Sequence, residues 1–179
     1  MSYRSDVIEC LRLPTDAFRR QAPDLLDSGL DCERLDRFPT PAAVESQPDL
    51  PDLGGRGERE RDLLWRLWLL EDAPVGLTLS GPAYQDNPIV YANRTLRRMT
   101  GYSLPELRGE NPRLFQGPKT EAEAVANLRE AINIWEQVTV ELWNYRRDGT
   151  PFRNRVSIVP MAGDSGAITN WIGVQERIE

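Results

Sequence analysis

Two runs of alternating apolar and polar residues, Val138–Arg146 and Phe152–Pro160, flank the tetrapeptide Arg147-Asp148-Gly149-Thr150, and this hairpin constrains the fold most. An Asp-Gly pair between alternating segments is a strong turn signal. Because successive side chains in a strand alternate faces, parity sorts the residues. Val138, Val140, Leu142 and Asn144 share one face, as do Phe152, Asn154, Val156 and Ile158 on the partner. A further strand, Ile168–Gln175, places Trp171, Gly173 and Gln175 together. Each of these otherwise apolar rows holds one amide, and an unpartnered buried amide costs about 1–3 kcal/mol.

Upstream, Val75–Ser80 and Ile89–Ala92 read as two strands joined through Asp86-Asn87-Pro88, followed by helical pieces near 93–100, 103–108 and 121–134. Residues 73–179 therefore form one domain of the α+β class: a five-stranded antiparallel sheet with short helices on one face. Before it lies an amphipathic helix spanning 58–72, with an apolar stripe at Leu63, Leu64, Leu67, Trp68 and Leu70. Its two tryptophans need cover, from the chain's own domain or from a second copy. Residues 38–57 are rich in proline and glycine and read as a linker, and residues 1–37 as an N-terminal helical extension of one or two brief helices.

Composition excludes several functions. A net charge of −6 with Lys119 as the single lysine argues against a nucleic-acid surface. Histidine is absent, which removes the commonest general base and zinc ligand. Cys10 and Cys32 lack metal-ligand spacing, so no metal is expected. Neither a membrane span nor a secretory leader is visible, which points to the cytoplasm. Without a nucleophile–base pair or a phosphate loop, the chain reads as a non-enzyme.

Three amides converging on an apolar floor suit a planar ligand whose edge alternates carbonyl and N–H groups, as an isoalloxazine does. Three separately satisfied amides would give the same pattern. Arg113 and Arg129 lie on helical segments, where guanidinium favours phosphate, and Asn111 and Gln116 flank Arg113 within reach of a sugar-alcohol chain. Two helix arginines are also common as solvated surface charge.

The run Gly109-Glu110-Asn111-Pro112-Arg113-Leu114-Phe115-Gln116-Gly117 resembles the flavin-contacting helix of light-oxygen-voltage (LOV) domains, the blue-light branch of the PAS superfamily. Asn87–Ala92, Thr100–Ser103, Leu128–Ile132, Leu142–Tyr145, Phe152–Asn154 and Ile172–Gln175 extend the resemblance over residues 73–177. It implies a PAS fold binding FMN, since no insertion to house an adenosine follows Gln116. It further implies that Asn111 and Gln116 hold the ribityl chain, Arg113 and Arg129 the phosphate, Asn144 and Asn154 the pyrimidine edge, and Gln175 the O4/N5 side.

The family's adduct-forming cysteine falls at Pro112, which has no nucleophilic atom. Signalling is then expected by photoreduction to a semiquinone, with Trp143, Tyr145, Trp171, Tyr91 and Tyr102 as candidate donors and Gln175 reorienting in response. The sequence ends four residues past Gln175, so output is expected through the N-terminal helix, by homodimer rearrangement across 58–72 and the outer sheet face or by N-terminal release to a downstream signalling protein. That outer face carries Trp143, Val159, Ile168, Ile172 and Val174. The rival readings are a light-independent flavin redox sensor and a cofactor-free PAS interaction domain.

Overall fold

The computed structural model describes residues 2–44 and 47–179. Five strands, β1 (Gly76–Ser80), β2 (Ile89–Ala92), β3 (Val138–Tyr145), β4 (Pro151–Ala162) and β5 (Ile168–Arg177), form one antiparallel sheet in the order β2-β1-β5-β4-β3. The hairpin pairs Leu142 with Asn154 and Asn144 with Phe152, so the expected apolar rows do share a face. Its turn places Gly149 at φ 87°, a conformation that glycine adopts without steric cost.

On the inner face lie α5 (Arg94–Thr100), α6 (Leu104–Leu107), a 3-10 turn at Pro112–Phe115 and α7 (Ala122–Ile134). α7 is held by Ala124 and Leu128, which pack on Val140, Leu142 and Val156. At α5 the N-cap Asn93 is fully buried; its oxygen accepts from Leu96 N at 3.0 Å and Leu77 N at 2.8 Å, and its nitrogen donates to Leu70 O and Val75 O. One amide thus ties the N-terminal helix, β1 and α5 together.

Four more helices precede or cover the outer face: α1 (Tyr3–Arg12), α2 (Thr15–Leu25), α3 (Cys32–Arg37) and α4 (Glu58–Leu69). The extension holds three helices where the sequence suggested one or two. They form no detached appendage, because Val7, Leu11, Phe18 and Leu35 join the same core as Leu77, Val159, Ile172 and Val174. The Pro/Gly-rich stretch that reads as a linker buries Val44, Leu50 and Leu53 in that core. Proline and glycine content reports local backbone preference, and says nothing of where scattered apolar residues dock.

α4 departs from the expected dimer helix. Every residue from Asp62 to Leu69 is buried within one chain, α1–α3 on one side and the sheet on the other. A second copy therefore has no free apolar stripe at 58–72 to bind. The outer-face row also loses two members: Ile168 and Trp143 are only half-buried and lie outside the core under α4, and Lys119 Nζ and Arg153 Cζ stand 5.3 and 5.8 Å from the Trp143 ring.

A buried ion cluster fastens the N-terminal helices. Arg66 is 0 % exposed; it donates to both Asp62 carboxylate oxygens at 3.1 and 2.8 Å, and to the main-chain oxygens of Leu11 and Leu13 at 3.1 and 2.6 Å. Burial lowers its proton affinity and Asp62 opposes that effect. The guanidinium caps the C-terminal carbonyls of α1, which carry the negative end of the helix dipole. Among the described residues no helix is long and apolar enough to cross a membrane.

Candidate functional site

A cavity of about 340 Å³ opens between the inner sheet face and the helical elements. That volume falls in the range of about 300–1,000 Å³ typical of small-molecule pockets. Its floor is Leu142, Val156 and Ile158 with Gly173, and its lid is Leu128 and Ile132 of α7. Six of the seven residues expected to bind line it: Asn111, Arg113, Gln116, Arg129, Asn144 and Gln175. Strand alternation brings the last two together from β3 and β5, and the helices bring the rest.

Asn154 takes a different place. It is fully buried behind the wall, and its amide nitrogen donates to Asn144 Oδ1 and to Gln175 Oε1, each at 2.8 Å. The three amides form one chain, with the central residue giving both hydrogens. Asn154 Oδ1 is a buried acceptor left without a partner. With Gln175 Oε1 engaged, its Nε2 is the free end of that amide; it lies 3.5 Å from where a Gly173 side-chain carbon would stand.

Gly173, part of the cavity floor, also lets β1 and β5 approach closely. It pairs with Thr78 across β1 and β5, and a side-chain carbon there would fall 2.4 Å from Thr78 Oγ1. Gly117 is required in the same way, since a side chain would meet the Tyr145 ring at 2.5 Å. Tyr145 fixes this rim further by accepting from Lys119 N at 2.8 Å.

Pro112 also lines the cavity. It opens the 3-10 turn at its first position, where a missing N–H costs nothing. Asn111 is extended at φ −76°, ψ 141°, as a residue before proline prefers, and its oxygen caps Arg113 N at 2.8 Å. The proline therefore leaves the start of this turn in place.

Among the lining residues that escaped the sequence reading are Thr78, Ser80, Asp86 and Phe115. Thr78 and Ser80 are the polar, same-parity positions of an otherwise apolar strand, the signal already used on β3 to β5. Asp86 and Phe115 carry no comparable periodic signal, because they sit in turns. Among the described residues no group of three or more acidic or cysteine side chains is placed to hold a metal ion.

A family model described as PAS domain matches residues 74–177. The chain is 40% identical over 119 residues to Protein TWIN LOV 1 of Arabidopsis thaliana, spanning 66% of this chain and 30% of that protein. It is 41% identical over 106 residues to the bacterioopsin transcriptional activator of Halobacterium salinarum, spanning 59% and 16%. The chain thus spans less than a third of either relative. Among solved structures, the LOV domain from the Erythrobacter litoralis EL346 blue-light activated histidine kinase superposes with a TM-score of 0.56 at 35% identity, over 59% of this chain and 96% of that one.

Proposed function

We propose, because this chain belongs to the PAS domain family and to its light-oxygen-voltage branch, that it senses blue light through a bound flavin without forming a covalent bond to it. The observation that carries this reading is the cavity's polar edge: Asn144 and Gln175, both held from behind by Asn154, stand beside an apolar floor. These residues fit a flavin. The donor and acceptor ends of the amides match its pyrimidine edge, Leu142, Val156 and Ile158 match its ring faces, and Arg113 and Arg129 match the phosphate of FMN.

When bound, the isoalloxazine absorbs blue light and its excited state is a strong one-electron oxidant. Pro112 offers no thiol, so the residue that answers must be an electron donor. Trp171 supplies the electron: it is buried and is the one tryptophan or tyrosine lining the cavity among the described residues. The other aromatic candidates are less suited. Positive charge developing on Trp143 is opposed by Lys119 and Arg153. Tyr91 lies on the outer face, donating to Glu71 Oε2 at 2.5 Å. Tyr102 stands behind Phe115, ring centroids 5.9 Å apart. A thiol in solution returns the electron to Trp171.

Gln175 carries the response. It presents its N–H while Asn154 holds its carbonyl, so a bound acceptor opposite it would keep this orientation and a donor there would favour the reverse. Turning Gln175 sets its amide nitrogen against the Asn154 amide nitrogen, so Asn154 must turn too and release Asn144. The switch is a property of three amides together. Gln175 pairs with Gly76 on β1, which joins α4 through residues 70–75, and this route leads toward α1–α3. Output then takes the form of weaker docking of the N-terminal helices.

The test is illumination of FMN-loaded protein with a thiol reductant present. The oxidised flavin spectrum should bleach under blue light and recover in air. Trp171→Phe should bind flavin, bleach at least tenfold more slowly and fluoresce more brightly. Asn154→Leu and Gln175→Leu should bleach normally yet show no light-dependent change in amide exchange of α1. Normal bleaching of Trp171→Phe would refute the donor assignment, and protein that takes up no flavin would refute the whole reading.

A further inference from the structure

One corner of the cavity holds a carboxylate that the reading above leaves unused. Asp86 and Asn87 follow a 3-10 turn at Ala83–Gln85 with φ of 65° and 48°. Two successive left-handed residues other than glycine are uncommon, and such backbone concentrates at ligand clamps. Asn87 secures the turn by donating to Gly81 O at 3.1 Å. Asp86 then engages Arg113 in a bidentate pair, with Nη1 at 3.0 Å from Oδ1 and Nη2 on Oδ2. Asn111 Nδ2 donates to the Asp86 main-chain oxygen at 2.7 Å. Arg129, by contrast, is exposed and has no hydrogen-bond or ion-pair partner among the described residues.

We propose that Asp86 is a specificity-determining latch, its carboxylate competing with a ligand phosphate for the Arg113 guanidinium and so setting how strongly the pocket prefers FMN to riboflavin. The proposal rests on the flavin reading of this site. The Nη1–Nη2 edge of a guanidinium serves one bidentate acceptor at a time, so a phosphate gains that edge of Arg113 only by displacing Asp86 and otherwise has the Nε side alone. A displaced carboxylate that stays close also repels a dianion. Both partners are more than half exposed, and solvent screening keeps the effect modest. Arg129 supplies the uncontested half of the phosphate contact, and the latch makes the other half conditional.

Titrating the wild-type chain and Asp86→Asn with FMN and with riboflavin, at low ionic strength and by flavin fluorescence, decides the matter. Asparagine tolerates a left-handed backbone, so the turn is kept. The ratio of FMN to riboflavin affinity should rise roughly fivefold in Asp86→Asn. In Arg113→Met the same Asp86→Asn change should leave that ratio within twofold, because the contested group is gone. A ratio that stays constant or falls in Asp86→Asn overturns the latch and makes Asp86 a support for Arg113. A wild-type chain that binds neither flavin brings down the cofactor reading and this inference with it. Binding of both without the selective gain leaves that reading standing and removes the latch alone.

Discussion

Arg66→Met is the most direct probe of how the N-terminal helices are held. Methionine fills a similar volume but withdraws the donors that cap Leu11 O and Leu13 O, and it removes the charge facing Asp62. Removing one partner of a buried pair costs about 3–5 kcal/mol, and each orphaned buried acceptor about 1–3 kcal/mol. Asp62 keeps Arg59 at 2.6 Å, which places the net loss near the lower end, about 3 kcal/mol. That loss falls on the α1–α4 contact and opens α1 roughly a hundredfold more often. Cys10 reports the opening: it is fully buried beside Arg66, whereas Cys32 is exposed and serves as an internal clock. Thiol labelling of native protein should therefore show Cys32 unchanged and Cys10 about a hundredfold faster. Amide exchange in β3–β5 should stay slow, which separates local opening from global unfolding. If Cys10 accelerates less than about threefold while the sheet stays protected, the buried pair is not what holds α1 and the argument fails.

Other perturbations test separate links. Gly173→Ala should cost about 1–3 kcal/mol through its clash with Thr78 Oγ1, lowering the melting midpoint, and Thr78→Ala should restore most of the loss. Pro112→Cys places a thiol on the cavity wall; blue light should then bleach the flavin absorption without added reductant and recover in the dark, as absorption spectra would record. Burial raises the Cys10 thiol to about 11 from an ordinary value of 9.0, with Glu9 and Asp6 adding to the shift. The unfolded thiol ionises first as pH rises, so this contribution is complete below pH 9 and is lost toward pH 11. Chemical denaturation across that interval should show stability falling in wild-type protein and falling less in Cys10→Ala.

Much of the site was legible before any coordinates, and for a local reason. Alternation along β3, β4 and β5 is imposed by backbone geometry, so parity alone grouped Asn144 with Leu142 and Gln175 with Gly173. Parity does not say how amides pair with one another. It left Asn154 equal to Asn144 and Gln175, whereas packing puts it behind them as the donor to both. Asp86 stood in the sequence as one residue of a turn motif, and its role at Arg113 depends on two loops meeting 27 positions apart.

The order of strands and helices, the amide-bearing inner face and the proline beside Asn111 all follow from the sequence alone, because propensity, periodicity and capping act over a few residues. Only the tertiary structure decided that residues 2–44 and 47–57 seal α4 on its second side. That outcome hangs on a guanidinium from position 66 meeting carbonyls at 11 and 13, and no local pattern encodes such a contact. Long-range burial, which minimises exposed apolar area over the whole chain, closed the surface that the helix pattern had left open.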